Sequence, residues 1–268
     1  MTARPLAAAA LAAALLAATA TGCAQSVDPI ERLGRRAAQA AHHSRTHSSS
    51  TTDAQAYRRW GLSSPVRLAP PPSTHPRRIR AAGPGLPPVV DRVPTHDKVV
   101  FLTYDDGAER DPRFVDLVRE LRLPVSMFLT ARVVGPGYAH FARLREVGAS
   151  VQNHTVDHQS LRGLPYAGQR AEICGQQDRL RERFGLRPRL FRPPYGTYDT
   201  TTLRAASDCG ASAVVRWTPG EEPLGPGTIA LVGPDDDLNG PPLVERTVRL
   251  LQEMERKGLS VGRLEDYL

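Results

Sequence analysis

From residue 99 onward, short apolar runs alternate with longer segments of helical period. The runs at 99–103, 125–130, 150–153, 190–192, 213–217, 228–232 and 260–264 read as strands. Segments 112–121, 138–147, 166–184, 200–208 and 243–257 read as helices. In the first of these, Phe114, Leu117, Val118 and Leu121 fall at i, i+3, i+4 and i+7, which is one apolar face. Strand–helix alternation predicts parallel strands and an α/β fold. Seven strands fit either an incomplete barrel or an open doubly wound sheet, and both gather their chemistry at the C-terminal ends of the strands.

The pattern before residue 99 is different. Residues 1–22 carry one charge, Arg4, and an alanine/leucine run from Leu6 to Ala20, too short to span a bilayer comfortably. This reads as an export signal. It ends Ala20-Thr21-Gly22-Cys23, and small residues before a cysteine resemble a bacterial lipobox. Cys23 is therefore expected to be the lipidated first residue of a protein anchored on the outer face of the plasma membrane, with plain secretion as the alternative. Residues 23–95 are rich in Ser, Pro, His and Arg and poor in large apolar side chains. Such a segment cannot offset the entropy of ordering, and it is expected to be a disordered tether. The folded domain is then expected to span 96–268.

Charge sharpens this division. The chain has 268 residues and a formal net charge of +7. Residues 24–98 hold 12 Arg/Lys against 5 Asp/Glu, whereas residues 99–268 hold 22 against 23. The basic character belongs to the N-terminal third, where it suits an anionic membrane or wall surface or simply keeps a linker solvated. A near-neutral core domain argues against nucleic acid as a partner.

Two stretches carry candidate chemistry. Leu102-Thr103-Tyr104-Asp105-Asp106-Gly107 ends the first strand with adjacent carboxylates. Side chains of neighbouring strand residues point in different directions, so Asp105 and Asp106 can have different roles. Asn153-His154-Thr155-Val156-Asp157-His158 ends the third, and its histidines are four apart. A helical turn after Asn153 would put both imidazoles on one face. Two imidazoles and one carboxylate make a three-ligand site with room for water, the open arrangement of a catalytic Zn²⁺, and Asp157 is placed to support the ligands. The other aspartate is then free to accept a proton. Arg192, in Phe191-Arg192-Pro193-Pro194-Tyr195-Gly196, follows another strand and is held by two prolines, where it can pair with a carboxylate.

Thr103-Tyr104-Asp105-Asp106-Gly107, His154-Thr155-Val156-Asp157-His158 and Arg192-Pro193-Pro194-Tyr195-Gly196 resemble, in order and separation, the first three motifs of the polysaccharide deacetylases, carbohydrate esterase family 4. The resemblance covers roughly residues 98–268. It implies a distorted (β/α)7 barrel and metal-dependent removal of N-acetyl groups from chitin-like or peptidoglycan chains, acting on carbon–nitrogen bonds other than peptide bonds. It implies Asp105 as base, and Asp106, His154 and His158 as ligands of one divalent ion, Zn²⁺ or alternatively Co²⁺. It further implies Arg192 orienting Asp105, and the Tyr195 N–H at the oxyanion. The partner is then an N-acetylated glycan, and the protein is expected to act as a monomer.

The second half departs from that pattern. Trp217 is followed by Thr218-Pro219-Gly220-Glu221-Glu222 rather than an aspartate-bearing segment. The family's fifth motif ends an apolar strand in His-Asp, whereas here the run 228–232 ends in Gly233-Pro234. The histidine expected to protonate the leaving amine is missing, and Asp235, Asp236 and Asp237 are either substitutes or an acidic turn. A catalytically impaired glycan-binding protein is thus the alternative to a deacetylase, possessing the cleft without full turnover. Besides Cys23 the chain has Cys174 and Cys209, on helical stretches flanking the 190–192 strand. They are close enough in the expected fold to pair, or to remain as two buried thiols.

Overall fold

The structure is a computed structural model, which describes residues 55–72, 79–108, 110–220, 222–233 and 240–268. The proposed signal segment, Cys23 and Asp235, Asp236 and Asp237 lie outside the described residues. Eight strands form one all-parallel sheet: β1 (Val89–Val90), β2 (Val99–Asp106), β3 (Val125–Leu129), β4 (Ser150–Asn153), β5 (Leu190–Phe191), β6 (Ala213–Val215), β7 (Thr228–Leu231) and β8 (Ser260–Val261). The order is β1-β6-β5-β4-β3-β2-β7, with β8 paired to the first residues of β2. The helices are α1 (Ala56–Arg59), α2 (Pro112–Leu121), α3 (Ala131–Val134), α4 (Tyr138–Glu146), α5 (Tyr166–Phe184), α6 (Thr200–Asp208) and α7 (Leu243–Lys257). This is the distorted (β/α)7 barrel.

Strand β2 shows how the sequence builds it. Its period of two sends Val99 and Phe101 into the barrel, against Phe128, Leu190, Val215 and Ile229. Val100, Leu102 and Tyr104 go outward under the helices, against Phe114, Leu117 and Val118. The apolar face read from residues 114–121 is the buried face of α2. That helix starts at Asp111, whose side chain accepts the Arg113 N–H, with proline at its first position.

The two edge strands of the curled sheet meet without a full ladder. Arg92 bridges Thr228, and the Val93 N–H donates to the Gly227 carbonyl at 2.8 Å. A Cβ on Gly227 would lie 2.0 Å from the Val93 carbonyl oxygen, so this seam admits only glycine. The Arg92 guanidinium then pins the 222–228 loop through Glu222, Pro226 and Thr228.

Of the expected tether at 23–95, the described residues 55–72 and 79–95 are corrected by their contacts, and the rest lies outside the described residues. Residues 55–72 and 79–95 pack on the barrel. Leu62 is buried in the outer core with Leu251 and Met254, Trp60 donates its indole N–H to Glu120 at 2.9 Å, and Ala69 donates to Val261 at 2.8 Å. Strand β1 supplies the sheet's edge beside β6. The apolar residues involved are too few and too widely spaced to show a period. They are buried because the barrel presents them with an unfilled groove and an open strand edge.

Candidate active site

The described residues bring Asp105, Asp106, His154, His158, Arg192 and Tyr195 together at the C-terminal ends of β2, β4 and β5. Asp105 continues the inward face of Phe101 and Thr103. Arg192 is fully buried, with its guanidinium 4.0 Å above the Phe128 ring. It donates to Asp105 Oδ1 at 2.6 Å and Thr103 Oγ1 at 3.0 Å, and to the carbonyls of Val215 and Arg216 at 3.4 and 3.1 Å. Burial lowers the Arg192 pKa from its ordinary value, and Asp105 opposes that shift without cancelling it. The pair is a rigid, charge-assisted unit, and loss of either member would strand a buried charge.

Asp106 stands at φ 65°, a turn that rotates its carboxylate away from the barrel axis towards His154 and His158. Gly107, at φ 83°, follows under Val134 and Phe141, each within 2.9 Å of where its Cβ would be. Asp106 Oδ1 lies 3.7 Å from His154 Nε2 and 3.3 Å from His158 Nε2, and the three ligand atoms are within 4.8 Å of one another. Ligands placed tetrahedrally about Zn²⁺ stand about 3.4 Å apart, so this donor set fits a divalent ion. His154 Nδ1 donates to the Arg192 carbonyl at 2.7 Å, which leaves its Nε2 lone pair facing Asp106. Burial is the main cause that pushes the His158 pKa below the ordinary value, opposed by Asp106, and this favours the neutral, ligating imidazole.

The spacing of the two histidines predicts one shared helix face, but they do not share one. Residues 154–165 are irregular, and the imidazoles meet because Thr155 and His158 take left-handed conformations, φ 73° and 59°. Such geometry costs about 1–2 kcal/mol per residue and needs support. It comes from Asn153 Oδ1, which accepts the Thr155 N–H at 3.0 Å, from Thr155 Oγ1, which accepts the His158 N–H at 3.1 Å, and from Glu172, which accepts the N–H groups of Val156 and Asp157. Of the five non-glycine residues with positive φ among the described residues, four (Asp106, Thr155, His158 and Tyr195) belong to this site. Tyr195 also projects into solvent, with its ring centroid 4.7 Å from that of His158.

The spacing of reactive residues did not reveal Thr130, whose hydroxyl lies 3.3 Å from Asp106 Oδ1, nor Glu172. A signal did exist. Gln169, Glu172, Gln176 and Gln177 sit at core spacing on α5, yet they are polar and buried. Gln176 donates to the Leu129 carbonyl at 2.5 Å, and Asn153 donates to Ile173 O and Gln177 at 2.9 and 3.1 Å. A polar stripe in the place of an apolar one marks a helix that serves the strand ends. A disulfide joins Cys174 on this helix to Cys209 at the end of α6.

An Asp/His/His cluster beside a buried Arg–Asp pair, at the mouth of a parallel barrel, defines a class in which a cation-binding centre adjoins a fixed carboxylate. The polysaccharide deacetylase family profile matches residues 92–214. The chain is 58% identical over 220 residues to the uncharacterized protein SCO4760 of Streptomyces coelicolor, covering 75% of this chain and 88% of that one. It is 28% identical over 151 residues to a peptidoglycan-N-acetylglucosamine deacetylase of Bacillus cereus, covering 52% and 67% of the two chains. Among solved structures, BA3943 of Bacillus anthracis, a CE4 family pseudoenzyme, shares the fold with a TM-score of 0.59 at 20% identity, over 68% of this chain and 69% of that one. The chain is a polysaccharide deacetylase-like protein of the carbohydrate esterase family 4 type, with the family's domain matched over residues 92–214.

Proposed function

We propose that this protein is a metal-dependent hydrolase that removes N-acetyl or O-acetyl groups from a cell-wall or chitin-like polysaccharide. The observation that carries the reading is the 2.6 Å Arg192–Asp105 pair, which holds one carboxylate ready beside the Asp106/His154/His158 cluster. A divalent ion, Zn²⁺ by the ligand chemistry or Co²⁺, would supply a Lewis acid that lowers the pKa of water and polarises the acetyl carbonyl. Asp105 takes the proton of the attacking water, and Arg192 holds that carboxylate in place. The Tyr195 N–H, presented by its left-handed backbone, faces the developing oxyanion. The exposed Tyr195 ring offers a platform for a sugar.

The second reading, a glycan-binding protein with impaired turnover, is favoured by Gly233. It lies two residues beyond the end of β7, where a histidine donor is expected, and the heavy atoms nearest to a Cβ there belong to the Leu231 side chain, at 3.5 Å or more. Without that donor the leaving amine departs poorly, whereas an activated ester alkoxide needs less protonation. Turnover of aryl acetates is therefore expected to exceed that of N-acetylglucosamine oligomers. The solved BA3943 is itself described as a pseudoenzyme, and a mutant of it as having restored enzymatic activity. Export with a lipid anchor at Cys23 remains part of the proposal and puts the domain beside the wall. Acetate release from chito-oligomers, peptidoglycan and aryl acetate, with and without Zn²⁺ or Co²⁺, tests the reading. Metal-independent release, or release unchanged in Asp105→Asn, refutes it, whereas glycan binding without release selects the second reading.

A further inference from the structure

We infer that Glu172 positions the metal-ligating loop and supplies negative charge to balance the ion. This rests on the reading of Asp106, His154 and His158 as a divalent-metal site.

The carboxylate is buried on α5. Its Oε2 accepts two consecutive backbone N–H groups, from Val156 at 3.1 Å and Asp157 at 2.9 Å, and its Oε1 accepts the Gln159 side-chain amide at 3.4 Å. These backbone groups lie between the two histidines, so Glu172 grips the segment that sets the distance from one imidazole to the other. The segment is the strained one, with left-handed residues at Thr155 and His158 on either side of the gripped peptides. Its other contacts, from Ala131 N to Thr155 O and from Arg132 N to Val156 O, occupy carbonyls and leave the N–H groups to Glu172. The helix that carries Glu172 is itself fixed two residues later by the Cys174–Cys209 bond and further on by Gln176 and Gln177.

A neutral glutamine would satisfy the same N–H groups, so the charge asks for a reason. Among the described residues no Lys or Arg pairs with Glu172. A buried carboxylate without a cationic partner is costly. A divalent cation held by the adjoining loop would compensate it, as partners behind metal ligands commonly do.

The test is a zinc-affinity measurement on the full chain by competition with a chromophoric chelator, for wild type, Glu172→Gln and Glu172→Ala. The thermal midpoint of each metal-free protein is measured alongside. Glu172→Gln keeps one acceptor oxygen for the two backbone N–H groups, replaces the oxygen facing Gln159 with an NH2 and loses the charge, and its dissociation constant is expected to rise about 10-fold, with Glu172→Ala towards 100-fold. The metal-free midpoint of Glu172→Gln should move little. A role confined to folding would lower the midpoints and leave the affinities alone, so a Glu172→Gln protein that binds zinc within two-fold of wild type overturns the inference. If Glu172→Ala does not fold, Glu172→Gln decides. Wild-type protein that binds neither Zn²⁺ nor Co²⁺ overturns the metal-site reading and this inference together. Wild-type binding matched by the variants overturns the inference alone.

Discussion

Leu62 lies in a stretch whose composition reads as a linker, yet its side chain is 6% exposed, packed in the outer core with α7. Replacing it with alanine removes three carbons, worth about 0.8 kcal/mol each, or roughly 2.5 kcal/mol before any cavity cost. Buried leucine-to-alanine changes run from about 2.7 to 5 kcal/mol when the space does not collapse. Leu62 lies near the surface, where α7 and the 62–67 segment can close in, so the lower end applies. Leu68, six residues on, is 44% exposed and contributes chiefly through its backbone bridge to Val261. Its change to alanine should cost under about 0.5 kcal/mol. Urea unfolding of wild type, Leu62→Ala and Leu68→Ala separates the two. Leu62→Ala is expected to lower the midpoint without altering the slope, and to lower Tm by about 5–10 °C for a domain of this size. A loss below about 0.5 kcal/mol for Leu62→Ala would be what a tether gives, and the packing of residues 55–72 on the barrel would then be wrong.

Three further outcomes follow from the structure. The Cys174–Cys209 bond closes a 35-residue separation, so the double serine variant should lose about 4 kcal/mol in denaturant, and a loss under about 1 kcal/mol would argue against the pairing. Asp199 caps α6 and accepts from Gly163, Thr202 and Gln169, bonds that outweigh burial and hold its pKa down to about 2. Its folded value lies below the unfolded one, so its contribution is full above about pH 4 and lost as pH falls towards 2. Asp199→Ala should be less stable at neutral pH and show a shallower acid loss than wild type, and parallel pH–stability curves would refute the assignment. Gly233→His, at a position with space for a side chain and no positive φ, is expected to raise amide turnover relative to aryl acetate turnover. An unchanged ratio would mean that the missing donor lies elsewhere.

How much could be read in advance depended on the range of the interactions. Apolar period set β2 to β8 and α2, α4, α6 and α7 to within a few residues, because burial on one face or two leaves a local trace in the sequence, whereas α5 falls on the expected 166–184 segment although most of its buried stripe is polar. Asp105, Asp106, His154, His158 and Arg192 could be picked out because strand ends in such a sheet converge on one mouth. Tertiary structure decided the rest. The two imidazoles meet through a strained loop rather than a helical turn, since Glu172, 14 residues beyond His158, offers its carboxylate to that loop's N–H groups. Strand β1 is two residues long and exists only because β6 has an open edge, and Leu62 is core only because the barrel leaves a groove for it. A periodic pattern is written by neighbours along the chain. A two-residue strand, a lone buried leucine and a carboxylate that grips a distant loop are written by neighbours in space, and the linear sequence carries no period from which to read them.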